Sequence, residues 1–467
     1  MDPKQKQQIE QFFEENRSQL IEDVKRLVRI RSDRGDPAPD APFGEAPKAA
    51  LLEAVDLCRE RGMLTENMDN YVLTADLGPE EPGLDILAHL DVVPVADNWT
   101  VCDPFDPVEK DGKLYGRGTA DDKGPAVAAL WAMACVKELG VPLKRRCRLI
   151  LGTDEECGGG DIAHYYASNE EAPMTVSPDA EFPVINVEKG MYRSMVHVPL
   201  SGDSGIVSVE AGFKLNVVPD TAQAVLQGMD PKEIAPYIRM VARETDCTYA
   251  IGPMDDGKIR LICTGEGAHA ASPETGNNAL TALIAALANL PVQGEDHKRM
   301  QALNWLFPHG DFLGEALGVA QSDSISGELT LSLNMCKTVD GELQLQYDCR
   351  CPLCATEENL VKAAPAAAAS VGLTIDETRI FPPHHVSADT DFIKTLLHCY
   401  EEWTGDEGKC IYIGGGTYVH MLKHGVAFGA AMPGVDNRMH GADEFARIDD
   451  LIAMGKIYAQ TIMELCC

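Results

Sequence analysis

No run in this 467-residue sequence approaches the roughly eighteen consecutive apolar residues that a membrane-spanning helix needs. Positive charge is short as well. Forty Lys and Arg stand against 73 Asp and Glu, a formal charge of -33, which repels phosphate backbones and anionic lipid. Nucleic acid and membrane are therefore not expected as partners, and the acidity reads as a solvated surface. The amino terminus, MDPKQKQQIEQFF, lacks a basic segment leading into an apolar one, so no signal peptide is expected and the reading is a cytoplasmic protein. A second CxxC pair is missing beside the crowded Cys349, Cys351 and Cys354, which argues against a zinc ribbon. Fifteen cysteines, an odd number scattered over a long chain, fit reduced thiols rather than a disulfide framework. There is neither an exact internal repeat nor a low-complexity linker.

What is present suffices for two or three domains with a well-buried core, since 45% of the residues are hydrophobic. Ile9, Phe12, Phe13, Leu20, Ile21, Val24, Leu27 and Val28 recur at helical spacing and predict an amphipathic first helix. A Pro- and Asp-rich loop, a helix over 48–61 and strands at 71–75, 84–89 and 147–152 follow, with an alanine-rich helix opening at Asp121-Asp122-Lys123-Gly124. From Val187 to about Arg379 the texture changes. Alternating patterns at 194–198, 222–226, 258–263, 329–334 and 343–348, with helices at 278–290 and 357–371, predict a second, α+β domain inserted into the first. After Pro382-Pro383 the α/β character returns, with a helix from Asp391, a glycine turn at 414–416, a strand over 426–431 and a final helix from Asp449. The expected division is a first domain from residues 1–187 plus 382–467 and an inserted domain over 188–381.

Polar residues gather at the ends of the apolar strands of the first domain: His89, Asp121, Glu155, Glu156 and Asp179, and later His440. His89 and Asp91 are expected on one side of a strand, where the period is two, with the carboxylate orienting the imidazole. Two imidazoles with several carboxylates suit zinc, manganese or cobalt, and do not suit copper(I) or iron–sulfur clusters. Two divalent ions, the carboxylates of Asp121, Glu156 and Asp179 and one hydroxide make a neutral cluster, which can be buried where carboxylates alone cannot. Glu155 is then left over, free to take a proton from water and return it to a leaving amine. Each residue taken singly has a plainer reading as a core histidine or a solvated turn; their coincidence at successive strand ends is what points to a site.

The sequence also resembles the M20 metallopeptidases, and within them the PepV-like dipeptidases. The matching stretches are AHLDVVP (88–94), YGRGTADDKGP (115–125), GTDEECGGGD (152–161), SPDAEFPVINVEKG (177–190), GEGAHAASPETGNNA (265–279), GGGTY (414–418) and MHGADE (439–444). The resemblance implies an α/β, zinc-peptidase-like catalytic domain, a mixed sheet flanked by helices, carrying an inserted α+β lid. It implies two metal ions, zinc first with manganese or cobalt as alternatives, in which Asp121 bridges, His89 and Asp179 bind one ion, and Glu156 and His440 bind the other. Glu155 matches the general base, Asp91 the carboxylate that orients His89, and a cis peptide is implied between Asp121 and Asp122. In the lid, His269 matches a residue that stabilises the oxyanion, and Asn216 and Arg350 match residues that hold the substrate's terminal carboxylate. Gly415 of the GGGTY turn is counted on the substrate side.

The expected function is therefore hydrolysis of dipeptides, β-alanyl dipeptides included as candidates, by a metal-activated water. An M20-type amidohydrolase acting on N-acyl amino acids or succinyl-diaminopimelate, and a peptide-binding relative without catalysis, are the alternatives. A monomer is expected. The chain departs from the pattern at Val419-His420, where a small residue and an arginine are expected, which touches substrate recognition and not the metal ligands. Cys157, beside Glu156, is expected to be a small buried filler.

Overall fold

A computed structural model describes residues 1–467, the side chain of Asp255 excepted. The chain divides into two compact units, Met1–Val187 with His384–Cys467, and Glu188–Pro383. The first unit is thus made from both ends of the sequence.

Its sheet runs Leu64–Met68, Val72–Leu77, Arg146–Gly152, Pro82–His89, Met174–Ser177, Gly425–Ala427, Val184–Glu188 and His384–His385, with Cys410–Ile413 also paired to Val184–Glu188. The four strands from Arg146–Gly152 to Gly425–Ala427 are parallel. Parallel strands are covered on both faces and so read as continuous apolar runs; Pro82–His89 is buried from Gly83 onward. Helix Lys123–Glu138 packs against Pro3–Val28 and Ile448–Cys466. Thirteen of its sixteen residues are buried, which explains an alanine-rich sequence without a polar stripe. The carboxyl ends of the parallel strands form one edge, the usual place for a ligand in such sheets.

The second unit holds an eight-stranded sheet in the order Thr248–Pro253, Lys258–Thr264, Thr221–Gln227, Ile206–Ala211, Thr330–Val339, Glu342–Cys351, Gly190–Pro199 and Thr374–Ile375. Every pairing in it is antiparallel. Helix Ala279–Ala288 is wholly buried in its core, while Thr221–Gln227 alternates buried and more exposed positions as a sheet with one covered face requires.

Two expected elements break. The helix over 357–371 is a π turn, Glu357–Val361, followed by a separate helix, Ala363–Ser370; Pro365 carries no N–H and can continue no earlier turn. The strand over 426–431 is two strands in different sheets, Gly425–Ala427 and Ala430–Ala431. Gly429 divides them at φ 84, where a side chain would strike the ring of Phe182 at 2.5 Å. Among the described residues no helix is long and apolar enough to cross a membrane.

Candidate metal centre

The parallel strands deliver the site. His89 is the last residue of Pro82–His89 and lies in register beside Gly152, the last of Arg146–Gly152. From Gly152 the chain reaches a tight 3-10 turn, Glu155–Cys157. Met174–Ser177 ends two residues before Asp179. Asp121 stands just ahead of helix Lys123–Glu138, joined to Asp122 by a cis peptide bond, and His440 arrives on the loop before strand Phe445–Arg447.

These side chains converge. The two oxygens of Asp121 face different imidazoles: Oδ1 lies 2.9 Å from Nε2 of His89, and Oδ2 lies 2.9 Å from Nε2 of His440. His89 Nε2 is also 3.6 Å from Asp179 Oδ1, and His440 Nε2 is 3.1 Å from Glu156 Oε1. Two potential ligand triads result, His89–Asp121–Asp179 and Asp121–Glu156–His440, with Asp121 common to both. Ligands bound at about 2.0–2.2 Å around one tetrahedral ion stand roughly 3.3 Å apart, so each triad has the spacing and the donor atoms a divalent ion requires. A cleft of about 350 Å³ opens on them, and Glu155 lines it beside Glu156, Asp179 and His440. A third group, His398, Glu402 and Glu464, differs in kind. Its carboxylates already face the amino terminus of Met1 at 3.5 and 3.8 Å.

Several residues outside the two triads fix this arrangement. Asp91 is buried, and its carboxylate accepts the backbone N–H of Glu155 at 3.1 Å and of Glu156 at 3.0 Å. Asp161 accepts from Thr153 N at 2.5 Å, from Asp154 N at 2.9 Å and from the Tyr418 hydroxyl. Tyr418 approaches so closely that a side chain at Gly152 would meet its hydroxyl at 2.2 Å; only glycine fits there. The His440 loop is held in a costly shape. Arg438, His440 and Asp443 have φ of 56, 61 and 58, the left-handed region, at about 1 kcal/mol or more each. Asp443 offsets this by accepting from Thr100 N at 2.8 Å, Thr100 Oγ1 at 2.6 Å and Val101 N at 2.9 Å.

Without ions, protons occupy the centre. Hydrogen bonds to Asp121 and Glu156 push the His440 imidazole up to about 10. Burial opposes a charge on His89, but Asp179, Asp121 and Asp91 outweigh it and hold the ring well above its ordinary value. Burial pushes Asp179 up to about 7, with His89 opposing, and burial followed by the charge on Asp179 drives Glu155 well above the usual carboxylate range. Ions bind only neutral imidazole and ionised carboxylate. Addition of Zn²⁺ or Mn²⁺ to the metal-free protein at pH 7 in dilute buffer should therefore release about two protons per chain, from His89 and His440, with a further fraction from Asp179. Affinity should fall as the pH is lowered. A pH-stat titration measures this, and release well under one proton per chain would count against ions at these imidazoles.

His89, Asp91, Asp121, Glu155, Glu156, Asp179 and His440 are thus brought to one edge of one sheet, and Gly415 lines the same cleft. The strand-period argument for Asp91 fails, because the strand stops at His89. The closest contact of His89 Nδ1 is the backbone carbonyl of Asp91 at 3.0 Å, with the carboxylate at 3.4 Å. Cys157 is exposed rather than buried, since the left-handed Gly158 and Gly159 that follow turn the chain outward. Val419 is buried in a small apolar cluster with Tyr418 and Leu422, which makes it core. Asn216, His269 and Arg350 belong to the second unit. There Val217 pairs with His269 and Ala270 N donates to the Asn216 carbonyl at 2.9 Å, so Asn216 and His269 are neighbours. Arg350 is buried and its Nε donates to Asp348 at 2.6 Å. Asp161, Tyr418, Arg117 and Glu444 were not singled out from the sequence, although all four lie inside the quoted motifs. Being buried is what gives them their roles, and burial is not written in a motif.

The sequence matches the profile of peptidase family M20/M25/M40 over residues 86–464. It is 36% identical over 454 residues to YtjP of Bacillus subtilis, provisionally named a dipeptidase, covering 96% of this chain and 97% of that one. It is 33% identical over 467 residues to the Beta-Ala-Xaa dipeptidase of Lactobacillus delbrueckii subsp. lactis, covering 98% of each. Among solved structures, human carnosine dipeptidase 1 aligns with a TM-score of 0.59 at 16% identity over 99% of this chain and 98% of that one. At that identity the likeness is one of fold.

Proposed function

Because the chain belongs to peptidase family M20/M25/M40, we propose that it is a dipeptidase that uses two divalent ions to hydrolyse the peptide bond of short peptides with a free amino terminus. The observation that carries this reading is a single carboxylate, Asp121, facing two imidazoles at 2.9 Å from its two oxygens, with an uncommitted Glu155 on the same wall.

In this reading His89, Asp121 and Asp179 hold one ion and Asp121, Glu156 and His440 the other. Zinc is the first choice, with manganese and cobalt as alternatives. When bound, such ions supply Lewis acidity to a peptide carbonyl and lower the pKa of water. The rest falls to the chain's own groups. Glu155 takes the proton from the attacking water on its carboxylate and hands it to the leaving amine. Asp91, by accepting the N–H groups of both Glu155 and Glu156, fixes the turn that carries the base and the ligand. His269 is assigned to the developing oxyanion and Asn216 and Arg350 to the substrate carboxylate, in line with the family resemblance.

Charge favours a dipeptide over an N-acyl amino acid. The cleft in the first unit is lined by Asp121, Glu155, Glu156, Asp179 and Glu181 and by no Lys or Arg. Once the ligands are committed to ions, Glu181 is a carboxylate left on the wall, exposed and without an ion-pair partner among the described residues. Such a surface receives an ammonium end, which an N-acyl substrate lacks. Glu181→Gln should raise KM for dipeptides about fivefold and leave kcat within twofold, the scale of one exposed ion pair. Steady-state kinetics on a dipeptide and on its N-acetyl analogue tests both points. Faster turnover of the N-acetyl compound by the unaltered protein would favour the deacylase reading.

We place the protein in the cytoplasm, a compartment that suits fifteen cysteines all present as free thiols.

A further inference from the structure

One buried carboxylate that belongs to neither triad holds both metal-bearing loops. Glu444 is 0% exposed. Its Oε1 accepts the backbone N–H of Gly118 at 3.0 Å, of Ala120 at 3.0 Å and of Asp121 at 3.3 Å. Its Oε2 accepts from Nη1 of Arg117 at 2.5 Å. The other amine of that guanidinium, Nη2, donates to the carbonyl of Gly441 at 3.1 Å, one residue beyond His440. Backbone pairing runs alongside, with Phe445 opposite Tyr115 and Gly116 N donating to the Glu444 carbonyl at 3.1 Å. The segment that presents Asp121 and the segment that presents His440 are joined through this pair.

The two histidines differ in how they are supported. A metal-bound imidazole usually donates its second N–H to a carbonyl or carboxylate, and that bond fixes the ring. His89 has such a bond, from Nδ1 to the Asp91 carbonyl at 3.0 Å. His440 makes its contacts through Nε2 alone, and among the described residues Nδ1 has no protein partner. Its side chain is 50% exposed and its backbone left-handed at φ 61. Apart from Asp121 and Glu156 at Nε2, what positions the ring is its backbone.

We propose that the Arg117–Glu444 pair is the positioning device for His440, and so sets the divalent-ion affinity of the Asp121–Glu156–His440 triad separately from that of the His89–Asp121–Asp179 triad. This rests on the reading above that each triad holds an ion. The support that a carboxylate or carbonyl gives directly to the ring of His89 is given to His440 through the Gly441 carbonyl.

Glu444→Gln is the discriminating change. A glutamine oxygen can still accept the three N–H groups of Gly118, Ala120 and Asp121, but its NH₂ then faces Nη1 of Arg117, donor against donor, and the arginine arm is released from Gly441. Arg117→Lys keeps the positive charge beside Glu444 and removes the Nη2 bond to Gly441. The double variant R117M/E444Q removes both charges together, so that neither is left buried alone.

The experiment titrates metal-free protein with cobalt(II) in a chelator-buffered solution, reading visible absorption and bound metal by mass spectrometry. Thermal unfolding of each metal-free variant is recorded alongside. The unaltered protein should bind two ions. Arg117→Lys and Glu444→Gln should raise the dissociation constant of one ion by about 10- to 100-fold, the usual cost of losing an outer partner of a ligand, and change the other by less than threefold. The double variant should resemble Glu444→Gln. A folded variant with both constants unchanged overturns the proposal, and so does an equal loss at both sites, which would mark the pair as general support for Asp121. A lower unfolding temperature without separation of the two constants overturns it as well. Failure of the unaltered protein to bind a second ion would instead refute the dinuclear reading, and the inference with it.

Discussion

Replacing Glu155 with glutamine is expected to lower kcat on dipeptides by about 10³-fold, the scale of a general acid–base group, while the protein still takes up two divalent ions. The separation of the two effects is the point. Glu155 belongs to neither ligand triad, so its loss should leave metal content untouched. Its neighbour Glu156 lies 3.1 Å from His440, and Glu156→Gln should lower metal content as well as turnover. The backbone N–H groups of both residues are held by Asp91, so an isosteric change at Glu155 should not disturb the turn. Metal analysis with steady-state kinetics on one dipeptide decides it. Turnover within tenfold of the unaltered protein would remove Glu155 from the proton path.

The second large effect is expected at Asp121. Asp121→Asn should abolish measurable hydrolysis and bring bound metal below one ion per chain. One carboxylate serves both triads, so losing its charge weakens two sites together, whereas substitution of Asp179 or His440 should spare one. Asp121 is also the group whose carboxyl is held far below the usual range in the metal-free protein, burial being outweighed by His440 and His89. A neutral amide in its place leaves two imidazoles without their shared counter-charge. Chelation of the unaltered protein should give the same inactive state, reversed by added zinc, manganese or cobalt. The variant should not be rescued. Recovery of activity in the variant at millimolar metal would show that Asp121 is not indispensable to both sites.

The main elements of the first unit could be read because parallel strands and buried helices leave unambiguous apolar runs. Pro82–His89, Arg146–Gly152 and Lys123–Glu138 lie within a few residues of their expected places. The side chains that the structure gathers into two triads could be picked out because the strand ends carry groups that have no reason to recur together in solvent. Legibility failed where a residue's neighbours come from far along the chain. Gly429 breaks a strand because Phe182 occupies the space beside it, and nothing near residue 429 announces that ring. Asp91 stands 3.4 Å from the histidine two residues before it and also accepts two backbone N–H groups more than sixty residues away. Cys157 follows the backbone turn set by Gly158 and Gly159 and not its own apolarity.

The sequence by itself determined which atoms were available: two imidazoles and four carboxylates of candidate ligand chemistry at element ends, in an acidic chain with an inserted α+β segment. Only the tertiary structure decided that the two oxygens of Asp121 face two different imidazoles, that Asp91 steers a turn, and that Glu444 and Arg117 tie one loop to the other. The physical reason is range. Ligand chemistry and hydrophobic periodicity are properties of a residue and its near neighbours, whereas hydrogen bonds to buried carboxylates join groups as much as 343 positions apart, and no local pattern encodes that distance.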